Sequence, residues 1–160
     1  MRLPGEIVQG ILARAALAVL RIYLGLAYIV TAIPELGEVS PRGLIALLER
    51  SAEPQNRTFY QEFLQDIVLP NAQLFAVFAS WGQLLLGIFL TLGLTTRLWA
   101  AVALVLTLSH MFGMGAWPWT PGSHIAANAA ISLALIIGAA GRTLGLDSLL
   151  ARRWPRSPFW

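Results

Sequence analysis

Four nearly continuous apolar stretches set the pattern of this chain. They cover residues 11–33, 72–94, 98–116 and 124–140. A helix needs about 20 mostly apolar residues to cross a bilayer, and each stretch reaches or approaches that length. Only Thr95, Thr96 and Arg97 separate the second stretch from the third, which predicts antiparallel neighbours joined by a tight turn. The pattern therefore predicts an all-α fold, an integral membrane bundle of four transmembrane helices forming one domain over residues 1–160.

The segment between the first two spans, residues 34–71, follows a different pattern. Ser40-Pro41 is typical of a helix start, and apolar residues then recur at helical spacing as far as Leu48. After Glu53-Pro54 a second apolar stripe follows, made of Phe59, Phe63, Ile67 and Val68. We expect two short amphipathic helices here, on the membrane surface or across the end of the bundle. They would form a lid over the spans or a docking platform for a partner protein.

The composition agrees with a lipid bilayer as the surrounding solvent. Hydrophobic residues make up 57% of the chain and charged residues 12%, with a mean hydropathy of +0.67. Soluble domains carry about 25% charged residues, so a soluble globular protein is not expected. The first apolar stretch is longer than the core of a signal peptide and contains Arg21, so we expect it to stay in the mature chain.

The charges are divided unevenly between the two ends of the spans. One end holds seven arginines and two acids: Arg2, Arg14, Arg97, Arg142, Arg152, Arg153, Arg156, Glu6 and Asp147. The other end holds three arginines and six acids: Arg42, Arg50, Arg57, Glu35, Glu38, Glu49, Glu53, Glu62 and Asp66. The positive-inside rule then predicts a multi-pass protein of the inner (cell) membrane, with both termini and the tail 141–160 in the cytoplasm and the segment 34–71 outside. Because the arginines are scattered between apolar runs, no nucleic-acid surface is predicted.

Five polar side chains inside or at the edge of the spans are the candidate ligand-binding residues: Arg21, Tyr28, Gln83, His110 and Asn128. Such side chains are costly in lipid and normally face the interior of a bundle. At a rise of about 1.5 Å per residue they converge between the midplane and the outer face. They would either hydrogen-bond helices to one another, or hold a quinone-like ligand whose oxygens bond Arg21 and Gln83 and whose proton exchanges with His110. On the first helix, Gly25 and Ala32 share the face of Arg21 and would let a neighbouring helix approach closely.

Several chemistries find no support in the residues. The chain has neither Cys nor Lys, which excludes disulfides, thiolate metal sites and a lysine Schiff base. No phosphate-binding glycine loop, nucleophile elbow or pair of catalytic carboxylates is present, so no catalytic residue is assigned. His110 and His124 lack the motif that would indicate haem, and no metal site is expected. Any redox role would need a quinone and a redox or soluble partner at the outer face.

Three segments resemble the DoxX family of small four-helix membrane proteins, which is related to the DoxD subunit of thiosulfate:quinone oxidoreductase. They are Arg21-Ile22-Tyr23-Leu24-Gly25-Leu26-Ala27-Tyr28, then Gln83-Leu84-Leu85-Leu86-Gly87 with Leu92-Gly93-Leu94-Thr95-Thr96-Arg97, and Gly138-Ala139-Ala140-Gly141-Arg142-Thr143-Leu144-Gly145-Leu146-Asp147. The resemblance implies a four-helix fold and an association with quinone-linked redox metabolism.

This chain departs from the family pattern at three positions. Ala32 and Glu35 stand where family members often have a glycine and a basic residue, and Gln83 stands where a glutamate is common. If that glutamate pairs with the arginine that matches Arg21, the pair is broken here and a buried arginine would need another partner. The resemblance then implies an altered site in this member.

Two hypotheses for function follow. The first is a DoxX-type integral membrane subunit that binds a quinone-like apolar ligand and acts with a partner, as an accessory subunit of a quinone-linked oxidoreductase. The alternative is a non-catalytic assembly or anchoring subunit, whose outer helices dock a partner and whose polar residues only lock the bundle. A small transporter is less favoured, because no interrupted helices recur in the two halves. A homo-oligomer is compatible with either hypothesis.

Overall fold

Every regular element in the described part of the chain is helical. The computed structural model describes residues 4–37, 59–114, 124–138 and 145–153. The elements are α1 (Pro4–Gly37), α2 (Phe59–Phe63), a π-helical turn (Leu64–Val68), a 3-10 turn (Leu69–Asn71), α3 (Ala72–Leu92), α4 (Thr96–Met114), α5 (Ile125–Gly138) and α6 (Asp147–Arg153). The prediction of an all-α fold is confirmed for these residues.

The first helix is longer than the predicted span. It continues through Pro34 to Gly37, although the sequence pattern placed residue 34 in the outer segment. A proline removes one backbone donor and bends a helix, but it does not have to end it.

The second amphipathic stripe is helical and continues into α3. Residues 59–71 run into α3 without a break, through the π-helical and 3-10 turns. Leu64 and Val68 pack against Phe75, whereas Phe59 is 85% exposed. A π-helical turn holds more residues than an α-helical one and so rotates the buried face along the chain. The other predicted amphipathic helix, after Ser40-Pro41, lies outside the described residues.

The four long helices pack as two pairs. α1 lies along α3, α4 lies along α5, and contacts between α1 and α5 join the pairs. The rings of Phe89 and Trp99 stack with centroids 4.9 Å apart, next to the turn that connects α3 and α4. The core contains Leu24, Leu86, Leu90, Ala100, Ala103 and Leu135. The prediction of a tight turn between antiparallel neighbours is confirmed.

α1 and α3 approach each other closely at two glycines. A β-carbon added to Gly25 would lie 2.8 Å from the carbonyl oxygen of Gly87, and one added to Gly87 would lie 2.7 Å from the carbonyl oxygen of Gly25. Contacts between backbones at this distance leave no room for a side chain. The expectation that Gly25 admits a neighbouring helix is confirmed, and Ala32 on the same helix is fully buried.

Large apolar side chains cover the outside of the bundle. Among them are Val19, Val30, Phe78, Val105 and Ile137, each more than 60% exposed. Soluble monomers rarely expose so much contiguous apolar surface, whereas lipid covers it in a membrane. By length and composition, Val8–Leu36 and Leu64–Leu92 could each cross a membrane, and Thr96–Met111 and Ile125–Gly138 are shorter apolar helices. These lengths are compatible with a membrane bundle and do not by themselves establish four spans.

Candidate functional site

A cavity of about 200 Å³ lies between α1, α3, α4 and α5. Its lining residues are Ala27, Tyr28, Thr31, Gln83, Thr107, His110, His124, Ile125 and Asn128. Four of the five predicted site residues, Tyr28, Gln83, His110 and Asn128, therefore lie around one space, and Arg21 does not line it. Ligand binding by these residues stays a prediction.

Tyr28 connects α1 to α4 in the cavity wall. Its hydroxyl lies 3.3 Å from the carbonyl oxygen of Ala103 and 3.2 Å from Oγ1 of Thr107. Thr107, one turn further along α4, donates its own hydroxyl proton to Ala103 at 2.8 Å. The proton of Tyr28 then goes to one of these two oxygens. Both hydroxyl protons are thus engaged within the protein.

Gln83 connects α3 to α1 on another side of the cavity. Its amide nitrogen donates to Oγ1 of Thr31 at 2.9 Å. Thr31 donates in turn to the carbonyl oxygen of Ala27 at 3.0 Å or of Tyr28 at 3.1 Å. Because Nε2 is oriented by this bond, the carbonyl oxygen of Gln83 is left to accept a hydrogen bond.

His110 is oriented by a hydrogen bond to its own helix. Its Nδ1 lies 3.0 Å from the carbonyl oxygen of Leu106, an atom that can only accept. The neutral ring therefore carries its proton on Nδ1, and Nε2 keeps a lone pair. The assignment follows from this hydrogen bond and from the cavity wall in which the ring lies.

α5 adds two polar side chains at its first turn. The backbone N–H of Asn128 donates to the carbonyl oxygen of His124 at 2.9 Å, so both residues belong to one helical turn. Within the described ranges the structure gives neither side chain a hydrogen-bond partner.

Sequence reasoning did not include His124, Thr31 or Thr107 among the site residues. Each lies three or four residues from a predicted one on the same helix: Thr31 from Tyr28, Thr107 from His110, and His124 from Asn128. Positions three or four apart share a helix face, so this spacing was the signal that could have found them.

Arg21 lies in a separate buried cluster. Its side chain is fully buried, its guanidinium lies where a β-carbon of Gly93 would be, and it interacts electrostatically with Asp147. Gly93 is ten residues, about 15 Å, along the chain from Gln83, which bonds Thr31 instead. The sequence implied that a buried Arg21 would need a partner other than the residue at position 83, and Asp147 supplies an opposing charge.

Comparison with known proteins addresses the family of the chain. A family model described as DoxX matches residues 16–116, more than half of the chain. The chain belongs to the DoxX family. The match runs from Ala16 in α1 to the end of α4, so the resemblance seen in the sequence is confirmed and this is a DoxX-type membrane protein. Comparisons with curated proteins and with solved structures find no match.

In this DoxX protein Asp147 holds two helix ends together. Its carboxylate accepts hydrogen bonds from the backbone N–H groups of Thr95 at 2.5 Å and Thr96 at 2.8 Å, at the start of α4. Its own N–H donates to the carbonyl oxygen of Gly93 at 2.8 Å, just past the end of α3. Helix ends leave such groups without partners, and a carboxylate is favourable at an N-terminus.

From the sequence, Asp147 was counted among the charges of one end of the spans and as the last residue of a segment that resembles DoxX, but it was given no structural role. The segments around Thr95 and Asp147 are two of those that carry the DoxX resemblance, and the structure brings them into contact. The contact could have been suspected from the sequence, because both segments carry the DoxX resemblance and one of them contains a carboxylate.

Proposed function

We propose that this DoxX protein is a four-span subunit of the inner membrane that binds the head group of a quinone-like ligand in its cavity. It would act in quinone-linked redox metabolism with a partner protein that supplies the electron carriers. The observation that carries the proposal is the convergence of polar side chains from four helices on one half-open cavity in an apolar bundle. In membrane helices, such groups mark ligand or ion sites by default.

The size of the cavity fits a single ring. An apolar cavity of about 150 Å³ is enough to bind benzene, and this one measures about 200 Å³. A six-membered head group would fill it, whereas a long isoprenoid tail would have to lie along the exposed apolar surface of the helices. The proposal therefore favours one-ring head groups over fused two-ring ones.

The side chains around the cavity suit the two oxygens of such a ring. The amides of Gln83 and Asn128 can each donate and accept a hydrogen bond, and His110 can exchange a proton through Nε2. Tyr28 and Thr107 would shape the wall rather than bond the ligand, because their protons are engaged with Ala103 and each other.

Binding of a short-tailed ubiquinone tests the proposal. The detergent-purified protein should bind decylubiquinone in equilibrium dialysis. Gln83→Ala and Asn128→Ala should each weaken binding by about tenfold, the equivalent of 1.4 kcal/mol, since each removes an amide donor from the wall.

The matched control for these variants is Ser80→Ala. Ser80 lies one turn before Gln83, bonds only the carbonyl oxygen of Ala76 within its helix and does not line the cavity. It should bind the probe as the unchanged protein does. Equal affinity in all four proteins would contradict the proposal, as would failure of the unchanged protein to bind the probe in both its oxidised and its reduced form.

The proposed topology is tested by cysteine labelling, for which the chain is suited because it contains no Cys. Glu62→Cys and Arg152→Cys replace exposed residues before α3 and in α6. In intact cells a membrane-impermeant maleimide should label the first variant and reach the second only after the inner membrane is permeabilised. Labelling of only the Arg152→Cys variant in intact cells would show the opposite orientation. Labelling of both variants in intact cells would contradict the proposed four-span topology.

A non-catalytic assembly subunit is the competing function. The observation in its favour is the exposed ring of Phe59 beside the exposed acid Glu62, on a helix at one end of the bundle. Aromatic residues of this kind are typical of protein interfaces. The binding experiment separates the two functions, because an assembly subunit has no use for a ligand in its cavity.

A further inference from the structure

We infer that the cavity selects the reduced form of its ligand, a quinol or related dihydroxy ring, over the oxidised quinone. The inference rests on the proposed function and specifies the form of the ligand that the site takes. The inference follows from which hydrogen-bond donors and acceptors of the cavity wall can bond a ligand.

The hydroxyl donors of the wall are already engaged. Thr107 donates to Ala103 at 2.8 Å, and Tyr28 donates to Ala103 or to Thr107. Thr31 donates to a carbonyl oxygen of its own helix and accepts the amide of Gln83. None of these three hydroxyl protons is left for a ligand, although the oxygen of Tyr28 can still accept.

His110 presents an acceptor. Because Nδ1 donates to Leu106, the neutral form of the ring offers the lone pair of Nε2 to a ligand. The carbonyl oxygen of Gln83 is a second acceptor, and one N–H of its amide is used by Thr31. The amide of Asn128 can serve a ligand oxygen of either kind.

A quinone and a quinol meet this wall differently. The two carbonyl oxygens of a quinone only accept, so a quinone oxygen facing Nε2 of His110 would place two lone pairs opposite each other. A quinol hydroxyl donates its proton to the same nitrogen and can accept from an amide with its oxygen. Sites that hydrogen-bond a hydroxyl discriminate strongly against analogues that lack it, because the site's polar group is then left unmatched.

The test compares three one-ring probes on the full-length protein in detergent without oxygen. They are decylubiquinol, decylubiquinone and the dimethyl ether of decylubiquinol, which keeps the ring and tail and has no hydroxyl proton. We expect decylubiquinol to bind at least about tenfold more tightly than either of the others, from the cost of a mismatched polar group. A quinone that binds as tightly as the quinol, or more tightly, would overturn the inference while leaving the proposed function standing. If none of the three binds, the proposed function itself fails.

The role of His110 is tested by the ratio of the affinities. In His110→Ala the ratio of quinol to quinone affinity should fall to about one, since the acceptor is gone, whereas Ser80→Ala should keep the ratio of the unchanged protein. A ratio that stays near tenfold in His110→Ala would overturn the assignment to Nε2. The three probes on the unchanged protein test the selection even where a variant fails to fold.

Discussion

Asp147→Asn is expected to lower the midpoint of thermal unfolding of the detergent-purified protein by about 6 to 20 °C. The carboxylate accepts N–H groups with both oxygens and faces the fully buried Arg21. An asparagine can accept with one oxygen only, and it removes the negative charge that attracts the guanidinium of Arg21. Removing one of two opposite charges that are both buried costs about 3 to 5 kcal/mol, and about 2 to 4 °C is lost per kcal/mol in a chain of this size. Intrinsic tryptophan fluorescence during heating measures the midpoint.

Two further variants test whether the loss of stability comes from the buried charge. Glu35→Gln removes a carboxylate from an exposed position of α1 and should move the midpoint by no more than about 2 °C. Arg21→Met combined with Asp147→Asn should be more stable than Asp147→Asn alone, because the buried positive charge is then removed together with the negative one. An unfolding midpoint for Asp147→Asn equal to that of the unchanged protein would rule out this account of the cluster.

The sequence allowed the helices and the position of most of the cavity wall to be predicted. Apolar runs and a three-residue separator placed the connection between α3 and α4 at residues 95–97, two residues from its observed position at 93–95. Polar side chains avoid lipid, so the faces that carry Tyr28, Gln83, His110 and Asn128 were expected to point inward. Both arguments depend on the local spacing of polar and apolar residues, and this spacing can be read from a single sequence.

The Arg21 cluster could not be predicted in the same way. Depth was counted along the backbone, but an arginine side chain reaches about another turn of helix, and Arg21 uses that reach to meet the turn at Gly93. Its acidic partner comes from α6, far along the chain, and pairing of distant segments leaves no periodic signal. The π-helical turn before α3 was not predicted, because such a turn has no clear sequence pattern.

Gly25→Ala and Gly87→Ala are each expected to lower the unfolding midpoint by about 2 to 12 °C. The added methyl carbon would lie under 3 Å from backbone atoms of the facing helix, which cannot rotate away as a side chain would. α1 and α3 must then separate, and overpacking of this kind costs about 1 to 3 kcal/mol. The bond from Gln83 to Thr31 joins the same two helices one turn from Gly87, so separation should also weaken the binding of decylubiquinol.

The same change at two other glycines is the control, and it should act in the opposite direction. Gly10 in α1 and Gly82 in α3 have no atom within 4 Å of the position that a β-carbon would take. Alanine is favoured over glycine inside a helix by about 1 kcal/mol, so Gly10→Ala and Gly82→Ala should unfold at the same or a higher temperature. Four substitutions of identical chemistry then differ only in the space around them. If all four raised the midpoint alike, α1 and α3 would not be in backbone contact, and the cavity wall that depends on their spacing would have to be described differently.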